Sequence, residues 1–297
     1  MAIGEQVPRT IVGRRRLHPG FVRTGRKFSL LWLGALVGSA TASAAPRGGE
    51  PNDYLFLVFS HPTAGMEKAY QRWYNEIHLP DVVSVTGFVS AQRFELADIQ
   101  LRIPDWSVPR YLALYRVRTN DLRSVREAMA RRARCGNLRT SAALGADVRM
   151  YTSKLTGRAR AGTRETSRPG QRDYIQIVLG DAVRGQDAAF NRWYDQVHQP
   201  QLLQVPGFIE GQRGVANHMT LAPQYGTSRY LALFRLRTAD LREMFEGTKR
   251  LDVPPASFDR SRTFGYTFRA IGPELSAAAV RQHQAHRTAG GRCDQRR

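Results

Sequence analysis

Two histidines stand out for their neighbours and spacing. His78 and His198 each follow a Trp-Tyr pair, in Arg72-Trp73-Tyr74 and Arg192-Trp193-Tyr194, and each is followed two positions later by a proline. Tyr74 and Tyr194 sit four residues before the imidazoles, so on a helix each phenol lies one turn from its imidazole on the same face. An imidazole titrating near neutrality beside a phenol can move a proton to or from an aromatic or keto substrate. A His before Pro can also cap a helix C-terminus through its last carbonyls. Haem ligation is a third reading. A metal alone is not indicated. Asn75 matches Asp195 and Glu76 matches Gln196, so no carboxylate at ligand spacing is shared by the two copies.

Other candidates are substrate-binding. Gln92-Arg93 and Gln212-Arg213 lie on predicted strands, where one residue of each pair faces inward and the other faces the helices. Trp106 and Tyr225 lie in the following loops, where they could rim a pocket. No phosphate-binding glycine loop, nucleophile elbow or paired-carboxylate constellation accompanies them, and no cofactor is expected.

These groups come in pairs because the sequence repeats itself. Asp53-Tyr54, Arg72-Trp-Tyr74, His78, Pro80, Gly87-Phe88 and Gln92-Arg93 recur 120 positions on. Arg110-Tyr-Leu-Ala-Leu114 recurs at Arg229 to Leu233. A module of roughly 100 residues is therefore duplicated in tandem. Each copy reads β-α-β-β-α-β. Tyr54–Phe59 is a buried strand and Met66, Tyr70, Trp73 and Ile77 form a helical stripe. Pro80 and Pro200 are expected to stop the first helix. The second helices are predicted over 122–134 and 241–251, and closing strands over 148–155 and 262–271.

The block Arg-Trp-Tyr-x-x-x-His-x-Pro followed by Gly-Phe, inside a βαββαβ module, resembles the EthD-like branch of the dimeric α+β-barrel superfamily. The likeness spans both modules, about 200 of the 297 residues. It implies an α+β fold of two tandem ferredoxin-like modules that form the dimeric barrel within one chain, as a pseudo-dimer. It also implies a small apolar or aromatic ligand between the two sheets. The reactions of such families include cofactor-free cyclisation, dehydration, decarboxylation and oxygenation, with pocket histidines as acid or base. Non-catalytic ligand binding or a structural role, and haem binding, are the rival functions. A fold of this kind does not fix a reaction.

The chain carries 45 Lys and Arg against 25 Asp and Glu, a net charge of +20. That balance first suggests a nucleic-acid partner. Most of the excess lies outside the modules, which hold +5 (residues 51–155) and +2 (residues 173–271). The rest lies in residues 1–50, a linker at 156–172 and a tail at 272–297, the last two read as flexible and basic. The charge therefore argues for no nucleic-acid partner. Residues 14–27 carry six basic side chains, followed by an apolar stretch from Phe28 and an Ala42-Ser-Ala44 site. This is the pattern of a signal peptide, so the protein is expected to be exported, periplasmic or secreted, and otherwise cytoplasmic. If uncleaved, that segment would be its one membrane contact. Two cysteines exclude a disulfide framework.

Overall fold

The computed structural model describes residues 50–101, 108–163, 168–217, 220–221 and 228–285. They belong to one compact unit, Ala40–Arg297. The expected signal peptide, Trp106 and Tyr225 lie outside the described residues. Among the described residues, no helix is long and apolar enough to cross a membrane.

The two halves have the same element order. The first runs β1 (Asn52–Pro62), α1 (Glu67–Trp73), a π-helical turn (Tyr74–His78), α2 (Leu79–Val83), β2 (Phe88–Leu96), β3 (Tyr111–Thr119), α3 (Leu122–Arg134) and β4 (Leu144–Ala161). The second runs β5 (Arg172–Ala182), α4 (Asp187–Trp193), a π-helical turn (Tyr194–His198), α5 (Gln199–Gln204), β6 (Phe208–Ala216), β7 (Tyr230–Thr238), α6 (Leu241–Thr248) and β8 (Phe258–Ala270). A short β9 (Leu275–Ser276) and α7 (Ala277–Ala285) follow.

Each half forms an antiparallel sheet, ordered β4-β1-β3-β2 and β8-β5-β7-β6. The last strand of each half then pairs with the second strand of the other, β4 with β6 and β8 with β2. The eight strands therefore close into a ring, which removes the open edges that either sheet would expose alone. The fold is an α+β barrel with its helices outside.

Strand alternation decides what fills it. Leu55, Leu57 and Phe59 of β1 point inward and meet Ile175, Ile177 and Leu179 of β5, with Leu114, Leu233, Phe94 and Phe268. Tyr54, Phe56 and Val58 point outward under the helices. The ligand space expected between the two sheets is thus occupied by side chains. A void of about 20 Å³ beside Tyr151 and Tyr266 is too small for a ligand.

Three further expectations are corrected. Pro80 and Pro200 do not stop the first helices, because each falls at the start of a new α-helical segment after the π turn. In an unbroken α-helix Pro80 would clash with the Glu76 carbonyl; the wider turn, closed by Leu79 N–H on the Tyr74 carbonyl, avoids this. The linker is not wholly flexible. Residues 156–161 extend β4, and Arg160 and Ala161 lie opposite Gly211 and Glu210 of β6. Pairing with a strand edge uses backbone groups and needs no apolar pattern. The tail begins as ordered chain for the same reason: Leu275 and Ser276 pair with β2, and α7 buries Ala277 and Val280 against the first half.

The Gly-Phe motif has a steric cause. Gly87 and Gly207 have φ of 99° and 96°, and a Cβ at Gly87 would lie 2.5 Å from Val125 of α3.

Candidate functional site

The π turn builds the same aromatic stack in both halves. Hydrogen bonding from i to i+5 brings residues five apart one above the other. Trp73 and His78 stack with ring centres 4.6 Å apart, and Trp193 and His198 do so at the same distance. Tyr74 and Tyr194 meet the imidazoles edge-on at 5.2 and 5.0 Å. The predicted His–Tyr pairs are therefore brought together. Burial lowers both imidazole pKa values to about 4. At His78 the Arg139 carbonyl and Asp81 oppose the shift and Arg93 adds to it; at His198 only Arg213 adds. Both rings are neutral at pH 7, not near their midpoints as expected. Burial also pushes the Tyr74 and Tyr194 hydroxyls well above the ordinary phenol range, so neither is a ready acid.

What lies beyond the stack differs. In the first half the chain after α3 closes over it. The Arg139 carbonyl accepts from Trp73 Nε1 at 3.1 Å and faces His78 Nδ1 at 3.4 Å. Asp81, on α2, fixes that residue through its guanidinium at 2.8 and 2.9 Å and its backbone N–H at 3.2 Å.

In the second half the corresponding stretch, Asp240 to Ser257 against Asp121 to Ala143, is five residues shorter. Helix α6 has 8 residues where α3 has 13. The space this leaves is a cavity of about 340 Å³ over the outer face of β5 and β7. Val178, Leu202, Phe208 and Phe234 make it largely apolar, with His198 and Gln176 among its polar members. His198 Nδ1 is buried without a hydrogen-bond partner. At the rim, Leu101 and Val253 are two of the three large apolar side chains left exposed among the described residues, at 42% and 77%.

Three substitutions in this region are legible in the repeat, and the first of them lies in the cavity wall. Phe56, Leu79 and Ala91 of the first half stand where the second has Gln176, Gln199 and Gly211. Gln176 is 2% exposed, and its carbonyl accepts from the Thr267 hydroxyl. Gln201, at the position of Asp81, donates instead to Asp252 of the short loop at 2.7 Å. Gln176, Thr248 and the 251–254 loop were missed in the sequence. The first could have been found by asking where one copy replaces a core aromatic with an amide.

The other predicted site residues among the described residues do not line this cavity. Arg93 faces the helices, with its guanidinium 4.3 Å over Tyr74, and donates to Gln71 and Asn75 at 2.6 and 2.8 Å. Arg213 lies 4.3 Å over Tyr194 and donates to Asp195 and Asn191 at 2.8 and 3.0 Å. Both are buried supports under the first helix of their half. Gln92 donates to the Gly272 carbonyl at 2.9 Å and Gln212 to the Gly157 carbonyl at 3.3 Å. Each therefore staples the chain that leaves one half onto the other. No group of three or more His, Cys, Asp or Glu side chains with metal-site geometry occurs among the described residues.

No family model matches the chain, and no curated protein matches it. Solved structures do. An anthrone oxidase-like protein is 14% identical, with 76% of this chain and 93% of that one covered at a TM-score of 0.48. A chlorite dismutase variant from Candidatus Nitrospira defluvii is 10% identical, with 80% and 97% covered at a TM-score of 0.45. At such identities and scores these likenesses carry no reaction over to this chain.

Proposed function

We propose that this chain is a small-molecule-binding α+β barrel with one working cavity, in its second half. The observation that carries this reading is the unpartnered His198 Nδ1 in the wall of a 340 Å³, mostly apolar cavity that the first half fills with its own chain. Cavities of this size with few polar groups suit compact apolar or aromatic compounds. We further propose that the two halves arose by tandem duplication of an EthD-like module, and that the N-terminal segment directs export.

Chemistry at this site is restricted by its proton carriers. The neutral His198 ring can accept a proton from a bound compound. It holds none to donate as imidazolium at pH 7, and Tyr194 is held neutral by burial. A catalytic step here would therefore use His198 as a base through the ring nitrogen that carries no proton.

The test is to install the first half's residue. Gln176→Phe places in the cavity floor the ring found at Phe56. Mass spectrometry of the purified native chain is expected to find a co-purifying small molecule, and the variant is expected to lose it while keeping its circular dichroism. Retention of the same molecule by the folded variant would overturn the assignment of the cavity. Sequencing the N-terminus of the same preparation tests export: an end near Ala45 is expected, and an intact leader on protein recovered from the cytoplasm would refute it.

A further inference from the structure

The first half holds a clue to what the second half binds. Trp73 Nε1 and His78 Nδ1 converge on one atom, the Arg139 carbonyl oxygen. A carbonyl can only accept, so His78 carries its proton on Nδ1. A carbonyl oxygen also has two lone pairs, enough for both donors. The second half keeps the donors in the same arrangement: the Trp193–His198 stack has the same 4.6 Å separation, and Tyr194 meets the imidazole at nearly the same distance as Tyr74 does. Among the described residues it lacks the acceptor, and the stretch after α6 is five residues shorter. His198 Nδ1 is left buried and unpartnered, and Trp193 Nε1 has no counterpart of the Trp73 bond among the described residues. A buried polar atom without a partner is unfavourable and is seldom left so without reason.

We infer that the cavity's ligand carries a carbonyl-type oxygen, as in a ketone, quinone or amide, which accepts hydrogen bonds from Trp193 Nε1 and His198 Nδ1 in the place that the Arg139 carbonyl takes in the first half. This rests on the reading of the cavity as a binding site and adds a requirement to it. The ligand's body lies against Val178, Leu202, Phe208 and Phe234, and its oxygen points at the stack. The site selects against hydrocarbons of the same shape, because they would leave the buried His198 Nδ1 unmet.

The matched probes are 1-tetralone and tetralin, which share a fused-ring body and differ at the carbonyl. Calorimetry on the full chain is expected to show 1-tetralone binding about tenfold more tightly. His198→Phe and Trp193→Phe are each expected to bring the two affinities within about twofold, and His78→Phe to leave the preference intact. In NMR, the Trp193 indole N–H, assigned through Trp193→Phe, is expected to move downfield on adding 1-tetralone. The Trp73 signal, already hydrogen-bonded, stays. The NMR readout uses the native chain, so it decides even if a variant fails to fold. Equal affinities that Gln176→Phe abolishes would overturn the acceptor site and leave the cavity reading standing, as would an unmoved Trp193 signal at saturation. Failure of both probes to bind at all would overturn both readings.

Discussion

The two halves share a fold and an aromatic stack, yet one is closed and the other open. The Arg139 carbonyl closes over the first stack, whereas Gln176 and a five-residue-shorter stretch leave a cavity beside the second. A repeated constellation of catalytic-looking residues is therefore not two sites. His78 and Trp73 share the Arg139 carbonyl of a loop beyond α3, so His78 does not cap its own helix, which continues into α2. His198, 120 residues on from His78, lines a space of ligand size. What separates a structural histidine from a binding one here is loop length, and a motif does not encode that.

Trp73→Ala against Trp193→Ala should break this comparison most sharply. Trp73 is buried and hydrogen-bonded, so its loss should destabilise the fold by about 3–5 kcal/mol. Trp193 is only partly buried, so its loss should destabilise by about half as much or less. Urea unfolding midpoints measure both, and equal losses would mean that the second stack is packed as tightly as the first. Asp81→Ala comes next. Asp81 is buried, but its partner Arg139 is 56% exposed and can be resolvated, so about 1–2 kcal/mol is expected. Faster hydrogen exchange at the Trp73 indole should accompany it. Gln201→Ala, at the matching position, should shift the midpoint by no more than about 0.5 kcal/mol.

The order of effects mirrors what could be read without a structure. The repeat, the βαββαβ order and the α+β class were legible because strand alternation and the helical stripe at Tyr70, Trp73 and Ile77 are local patterns. The pairing of Tyr74 with His78 was legible for the same reason. The location of the ligand space was not. The space between the sheets is filled by the inward set on β1 and β5, and those residues look the same in sequence whether they face a ligand or one another. Pro80 misled because a proline's effect depends on the turn before it, and the π turn leaves no signature in the propensities. Linker residues 156–161 misled because backbone pairing with β6 is indifferent to their composition.

A smaller effect is expected beneath the stacks. Arg213 has a carboxylate partner in Asp195, whereas Arg93 has only the amide oxygens of Gln71 and Asn75 and leaves Nε and Nη2 buried without partners. Asn75→Asp should therefore stabilise the first half, and Asp195→Asn destabilise the second, each by about 1 kcal/mol. Thermal melts of the two variants and of the double exchange measure this. Opposite shifts of similar size are expected; two losses would show that Arg93 is already satisfied by its rings.

The smallest difference should be in how the two imidazoles respond to acid. Both are held neutral, with pKa values of about 4 against about 6.5 in the unfolded chain. Between those values the unfolded chain binds more protons than the native one. Each histidine's contribution is therefore fully present above about pH 6.5 and is lost as the pH falls towards 4. Asp81 and the Arg139 carbonyl favour a charged His78, and nothing comparable offsets Arg213 at His198. Opposing this, His198 lines the cavity. If the cavity is open in solution, imidazole NMR titrations should show His198 protonating no later than His78 as the pH falls, and a ligand that seats on Nδ1 should delay His198 alone. A His198 that protonates after His78 in the free chain would mean that the second half, too, is closed.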